Sequence, residues 1–324
     1  MTAVPATANL KVSDGWPSRA HAEVTGKPGT NLVARLRAQL PTAVLRIGVP
    51  PVKCQGIKSR LVPFILSSIA WDGGGRWIEP FLGSGVVLFN LAPPRALVAD
   101  SNVHIIRLYR EIASGDLCPE SVRMHLEREG ALLLARGGDH YYEVRERFNA
   151  RPSSLDFLFL NRSCFNGLVR FNRAGGFNVP FGRKPERFRT AYVTKIVNQV
   201  AWAGRVIRNR DWTFEASDWR DCLAGAGPGD FVYADPPYAG RHTDYFTRWQ
   251  EDDATELFER LRALPCGFAL STWKENRYRV NPRVESLSPG VTMRTFEHFY
   301  HVGPSEDRRN AVVEALLIRD GFAA

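Results

Sequence analysis

The chain has 324 residues, 44% of them hydrophobic and 24% charged, with a net charge of +9; this suits one large globular domain or two modest ones. No run of about 18 uncharged apolar residues occurs, which excludes a membrane-spanning helix, and no signal-peptide pattern opens the chain, so a cytoplasmic home is expected. Five scattered cysteines, an odd number without a Cys-x-x-Cys pair, favour reduced packed thiols over a disulfide framework or a zinc site.

Residues 1–43 are rich in Ala, Thr, Pro and Gly and read as a flexible tail, apart from a helical face made by Leu32, Val33, Leu36 and Leu40. A strand ends at Arg76-Trp-Ile-Glu-Pro80, and Gly85 to Leu91 continues as a helix. Ala96 to Asp100 is the next strand, and Val103 to Ile112 is helical by the spacing of Ile105, Ile106, Leu108, Tyr109 and Ile112. The middle, about 111–200, is helical at first and then punctuated by Gly and Asn from Asn161 to Gly182. Strand-like runs resume at Trp212–Ala216, Asp230–Asp235, Gly267–Ser271 and Asn310–Ile318, with a helix at Ala254–Leu264. Strands alternating with helices predict an α/β fold with a doubly wound, mostly parallel sheet, interrupted by the middle segment. That segment is electrically distinct. Between Arg151 and Arg210 twelve basic residues face two acids, Asp156 and Glu186, a local +10 that exceeds the net charge of the whole chain. Such a field attracts polyanions, although an arginine-rich solvated face has the same composition.

Two motifs sit where an open sheet binds ligands. Glu79-Pro-Phe-Leu-Gly-Ser-Gly85 joins a strand to a helix. Gly83 and Gly85 permit a tight turn and close backbone approach, and a helix start offers free N–H groups. It is neither the dinucleotide fingerprint nor a phosphate loop, and alone it is also a plain Gly turn. Asp100, at the end of the next strand, can accept both ribose hydroxyls of a nucleoside or serve as a helix cap. Asp235-Pro-Pro-Tyr238 follows an apolar strand. Its prolines fix a stiff loop that holds a carboxylate, the free Pro236 carbonyl, Pro237 and an aromatic ring in rigid relation. That set suits a planar base with an exocyclic amine: the two oxygens accept its N–H bonds and Tyr238 stacks on the ring. No Ser-His-Asp or Cys-His constellation is present. His298 and His301 would point to opposite strand faces without an acid cluster, so structural or DNA-facing roles are expected rather than a metal pair. Ser271 to Lys274 ends a strand on the ligand edge and would help shape the site.

These features together resemble the Dam-like, D12-class adenine-specific DNA methyltransferases. The resemblance covers roughly Pro51 to Ile318 and rests on Glu79–Gly85, Asp100, Asp235–Tyr238 and the block Asn161-Arg-Ser-Cys-Phe-Asn-Gly-Leu-Val-Arg-Phe-Asn-Arg-Ala-Gly-Gly-Phe-Asn-Val-Pro-Phe-Gly182. It implies a Rossmann-like methyltransferase domain from 44–115 and 201–324, with an inserted, mainly helical target-recognition domain at 116–200 that carries a β-hairpin. S-adenosylmethionine would be the methyl donor and S-adenosylhomocysteine the product. By the same resemblance Glu79, Phe81 and Gly83, with Pro80, Ser84 and Gly85, line its methionine end. Asp100 takes the ribose, Asp218 beside Trp219 takes the adenine amine, and Asp235 faces the donor as well as the target base. Lys53-Cys-Gln-Gly-Ile-Lys58 matches a Lys-Trp-x-Gly-Gly-Lys pattern near the donor carboxylate. It keeps Lys53, Gly56 and Lys58 but lacks the Trp and the second Gly.

In the long block the resemblance implies that Phe165 probes the base stack, Asn166 and Leu168 touch the target, and Arg170 reads a guanine. Arg162, Asn172, Arg173, Arg183 and Lys184 complete the DNA-facing set. The residues agree independently, because Phe165, Phe171, Phe177 and Phe181 interleave with arginines inside the basic window. Phe177 and Phe181 read equally well as hairpin core. The expected activity is methylation of N6 of a flipped adenine in double-stranded DNA. N4-cytosine methylation and a catalytically idle DNA-binding relative are the alternatives; RNA or protein methylation is disfavoured by the hairpin block. A bacterial or phage protein is expected, a monomer that needs neither metal nor membrane, with GATC as a first trial site and a cognate restriction endonuclease left open.

Overall fold

A computed structural model of the chain describes residues 47–238, 249–276, 279–282, 284, 287, 289–299 and 311–324. The tail at 1–43, with its Leu32–Leu40 face, lies outside the described residues, as do His301 and the side chain of His298. Among the described residues eight strands form one sheet: β1 (Trp77–Glu79), β2 (Arg95–Asp100), β3 (Asp211–Ala216), β4 (Phe231–Ala234), β5 (Gly267–Asn276), β6 (Arg279–Val280), β7 (Val291–Phe299) and β8 (Ala311–Arg319). Their order is β3-β2-β1-β4-β5-β8-β7, with β6 beside β5. The pairs from β3 through β5 are parallel, and β5–β8, β8–β7 and β5–β6 are antiparallel. The fold is Rossmann-like α/β. The chain reverses its direction of winding at β1, so the carboxyl ends of β1 and β4 form the switch point at which such sheets bind ligands.

Alternation along each strand sends neighbours to opposite faces. Trp77, Phe231, Tyr233, Ala269, Leu316 and Ile318 enter one apolar layer, while Ile78, Val232, Ala234, Phe268, Leu270 and Leu317 enter the other. The first layer is covered by α1 (Val62–Ser68), α2 (Val86–Leu91), α3 (Val103–Ser114) and α7 (Thr190–Ile207), the second by α8 (Trp219–Ala224) and α9 (Glu251–Ala263). The predicted strands and helices recur within a few residues. The antiparallel β7–β8 edge was not predicted as a pair.

The middle segment folds as α4 (Pro119–Arg136), α5 (Gly138–Ala150) and α6 (Ser154–Ser163) before the Gly-rich stretch. Leu126, Leu133, Tyr141, Phe148 and Phe157 belong to the same apolar cluster as Trp77 and Ile318. The helical segment therefore shares its core with the sheet. The predicted hairpin forms, but as two isolated antiparallel bridges, Cys164–Phe181 and Phe171–Phe177, rather than a continuous ladder. Asn166 is left-handed, and the short 3-10 turn Phe165–Gly167 interrupts strand geometry. No helix among the described residues is long and apolar enough to cross a membrane.

Candidate active site

The turn after β1 is built as its glycines predict. Gly83 and Gly85 have φ of 50° and 71°, in the left-handed region where a Cβ is strained. A Cβ on Gly85 would also meet the Phe89 ring at 3.0 Å. The Gly83 N–H donates to Asp100 Oδ2 at 2.8 Å, and the Asn102 N–H donates to Asp100 Oδ1 at 2.8 Å. Asp100 thus locks the turn, while Asn102 caps α3. Each Asp100 oxygen retains a second acceptor direction. Burial raises the Asp100 carboxyl above its usual range, and the two N–H groups oppose that rise. Glu79 is buried at the end of β1 and accepts from Trp77 Nε1 at 2.7 Å. Burial, with the nearby Asp235 charge adding, pushes it up to about 8. Pro80 and Ser84 are buried, and the Ser84 carbonyl accepts from the Tyr109 hydroxyl at 2.6 Å.

The stretch Lys53–Lys58 bridges this turn and the proline loop. Its Cys54 sulfur is 4.0 Å from where a Gly83 Cβ would lie. Lys53 is held through its backbone: its N–H donates to Asn161 Oδ1 and its carbonyl accepts from Asn161 Nδ2, both at 2.9 Å. Lys58 is only 4% exposed. Its ammonium lies 2.9 Å from Asp235 Oδ1, donates to the Gly56 carbonyl at 3.2 Å, and sits 4.8 Å above the centre of the Tyr238 ring. Burial raises Asp235, Lys58 lowers it, and Glu314 adds to the rise. The structure thus brings Gly56, Lys58, Asp235 and Tyr238 together, with Glu79 near enough to feel the Asp235 charge. The Tyr238 hydroxyl donates to Glu314 Oε2. Sequence reasoning missed Glu314, although a lone acid inside the apolar run of β8 was a readable signal.

Asp218 follows β3, whose Ala216 pairs with Asp100. Its Oδ1 accepts from the Arg220 N–H at 2.9 Å as the cap of α8, yet its side chain stays 45% exposed. Phe81, Trp219 and Trp249 form an aromatic group, with Phe81–Trp249 edge-on at 5.4 Å and Phe81–Trp219 at 6.3 Å. The Arg220 guanidinium covers Trp219 at 4.3 Å and is drawn to Asp253 and Glu256. Trp249 was also missed, because it lies outside every motif, 11 residues beyond Tyr238.

The block residues divide. Phe165 is 50% exposed, and Asn166, Arg173, Arg183 and Lys184 are exposed. Arg170 is half-buried and braced across the hairpin, its Nε donating to Asn178 Oδ1 at 2.8 Å. Exposed Asn172 closes the turn, its Oδ1 accepting from the N–H groups of Ala174 and Gly176. Half-buried Leu168 packs on the core, Phe171 and Phe177 lie within it, and Phe181 rests against Tyr141. Arg162 is a correction. It is buried on α6, and its guanidinium donates to the Pro51 carbonyl, to Gln199 Oε1 and to the Tyr192 hydroxyl. It is an internal strut whose donors face protein rather than DNA. Among the described residues no three His, Cys, Asp or Glu side chains gather as a metal site.

Comparison with known proteins agrees with this geometry. Residues 55–280 match the family model described as D12 class N6 adenine-specific DNA methyltransferase. A DNA adenine methylase of Serratia marcescens is 35% identical over 206 residues, which cover 58% of this chain and 70% of that protein. The Retron Ec67 DNA adenine methylase of Escherichia coli is 35% identical over 196 residues, 57% of this chain and 62% of its own length. The DNA N-6-adenine-methyltransferase of Escherichia phage P1 is 32% identical over 195 residues, 56% of this chain but 23% of its own length. With the Gly turn, Asp100 and the Asp-Pro-Pro-Tyr loop gathered at one sheet edge inside the matched span, the chain belongs to the D12 class of N6 adenine-specific DNA methyltransferases.

Proposed function

We propose that this chain transfers the methyl group of S-adenosylmethionine to N6 of an adenine turned out of duplex DNA. The observation that carries the reading is the Lys58–Asp235–Tyr238 group at the carboxyl end of β4, beside the turn held by Asp100. The donor fits the residues present. Asp100 ends β2, Asp218 follows the adjacent β3, and both keep acceptor capacity, which suits a ribose and a base amine. Phe81, Trp219 and Trp249 offer apolar faces for a purine. When bound, the donor supplies an electrophilic methyl carbon on a sulfonium.

The protein's part is orientation and charge placement. An aromatic amine is a weak nucleophile because its lone pair is delocalised into the ring. Asp235 and the Pro236 carbonyl accept its two N–H bonds and hold the nitrogen in a geometry that frees the pair. Lys58 opposes the rise that burial imposes on Asp235. Turning the base out costs a few kcal/mol, and stacking on Tyr238 offsets about 1–3 kcal/mol of that. The segment 116–200 serves as the target-recognition region, with Phe165, Arg170, Arg173, Arg183 and Lys184 toward the DNA.

The test is transfer of label from methyl-tritiated S-adenosylmethionine to GATC-containing and random duplexes, followed by digestion to nucleosides. Label in 6-methyladenine is expected, and Asp235→Asn should abolish it while calorimetric donor binding persists. Label in cytosine, or donor binding without any transfer, refutes the assignment.

A further inference from the structure

The phenol of Tyr238 is anchored inside the protein. Its hydroxyl donates to Oε2 of Glu314 at 2.5 Å. Glu314 lies in the apolar strand β8, is 3% exposed, and is followed by buried Ala315, Leu316, Leu317 and Ile318. A carboxyl in such surroundings is costly unless it is bonded, so a residue chosen for the strand alone would be apolar. The setting is rigid. β8 is paired on both sides, with Glu314 opposite Trp273 of β5 and Phe296 of β7. The β5 register shifts between Trp273 and Glu275, beside Glu314. Irregularities of this kind re-aim side chains and recur next to active sites.

We propose that Glu314 is a positioning residue for the target base: from a central strand it takes the Tyr238 hydrogen bond and fixes the plane of the ring on which the turned-out base stacks. This deepens, and rests on, the function proposed above. The carboxyl does not touch the reacting atoms; it acts through the phenol. Lys58, above the same ring and against Asp235, couples that plane to the carboxylate that grips the amine.

The test is a double-mutant cycle of Glu314→Met and Tyr238→Phe, with Glu314→Gln as the conservative variant that keeps an acceptor. Glu314→Met is expected to unfold in urea at the wild-type concentration or above. It should lower kcat on duplex DNA tenfold to a hundredfold while binding S-adenosylmethionine within twofold of wild type. Glu314→Gln should stay within about threefold of the wild-type kcat. The double variant should be no slower than Glu314→Met alone. Multiplicative losses, or Glu314→Met at full rate, overturn the proposal. The cycle of Glu314→Met and Tyr238→Phe read on urea unfolding needs no turnover: a coupling of at least fivefold in the unfolding constant is expected, and additive changes overturn the contact itself. A wild-type chain inactive on every duplex defeats the proposed function, and with it the purpose assigned to Glu314. An active wild type with multiplicative losses defeats this inference alone.

Discussion

Replacing Lys58 by Met should move the acid limb of activity to higher pH. In the folded protein burial raises the Asp235 carboxyl, Glu314 raises it further, and Lys58 is the group that opposes both. An ion pair at the 2.9 Å found here is worth about 6 kcal/mol at an effective dielectric constant near 20. At about 1.4 kcal/mol per pH unit that sets a ceiling near four units. Water entering the vacated space reduces it, so about 1–3 units is the working expectation. The sign follows from the role proposed for Asp235, which accepts an amine N–H more strongly when ionised. A raised carboxyl is protonated over more of the acid range, and activity should appear later as pH rises. The assay is kcat against pH from 5.5 to 9.5 at saturating S-adenosylmethionine and duplex. An acid limb that stays put or moves to lower pH refutes the reasoning.

Three further outcomes are expected. Glu79 titrates at about 8 in the folded chain against about 4.3 in a free peptide. Between those values the unfolded chain has released a proton that the folded chain retains, so stability falls as pH rises through that window. Glu79→Gln should match wild type near pH 4.5 and exceed it by about 2–4 kcal/mol at pH 8.5 in urea unfolding; an unchanged pH dependence would argue against a protonated Glu79. Arg162→Met should cost about 3 kcal/mol of stability by stripping donors from buried acceptors and leave the salt dependence of DNA affinity unchanged. A shallower salt slope at full stability would return Arg162 to the DNA. Arg170→Ala should relax discrimination at one base pair by about 1–3 kcal/mol, read by competition between duplexes with single substitutions, and unchanged preference would count against it.

The sheet-end motifs were legible because their chemistry is local. Gly83 and Gly85 are demanded by backbone angles, and Pro236 and Pro237 by the stiffness of the loop. What escaped was carried by distance. Glu314 reaches Tyr238 across 76 residues, and Trp249 meets Phe81 across the sheet edge. Nothing near Asn161 announces that its side chain would pair with the Lys53 backbone as a strand would. Arg162 was misassigned because a charge count does not say which way a side chain turns. Phe157, Leu158, Phe159 and Leu160 are buried around successive sides of α6, so every direction from that helix leads inward. The hairpin was anticipated, but not its broken ladder, since the left-handed Asn166 answers to packing rather than to any turn signature.

The single apolar interior that runs from the sheet into α4–α7 has a practical corollary. The fold offers no seam at which the 116–200 segment could be lifted out and exchanged as a cassette, because the graft would strip Phe148, Phe157 and Phe171 from buried His104 of α3. On the function proposed above, retargeting this scaffold to another sequence would be a matter of repainting the hairpin's outward side chains, one position at a time.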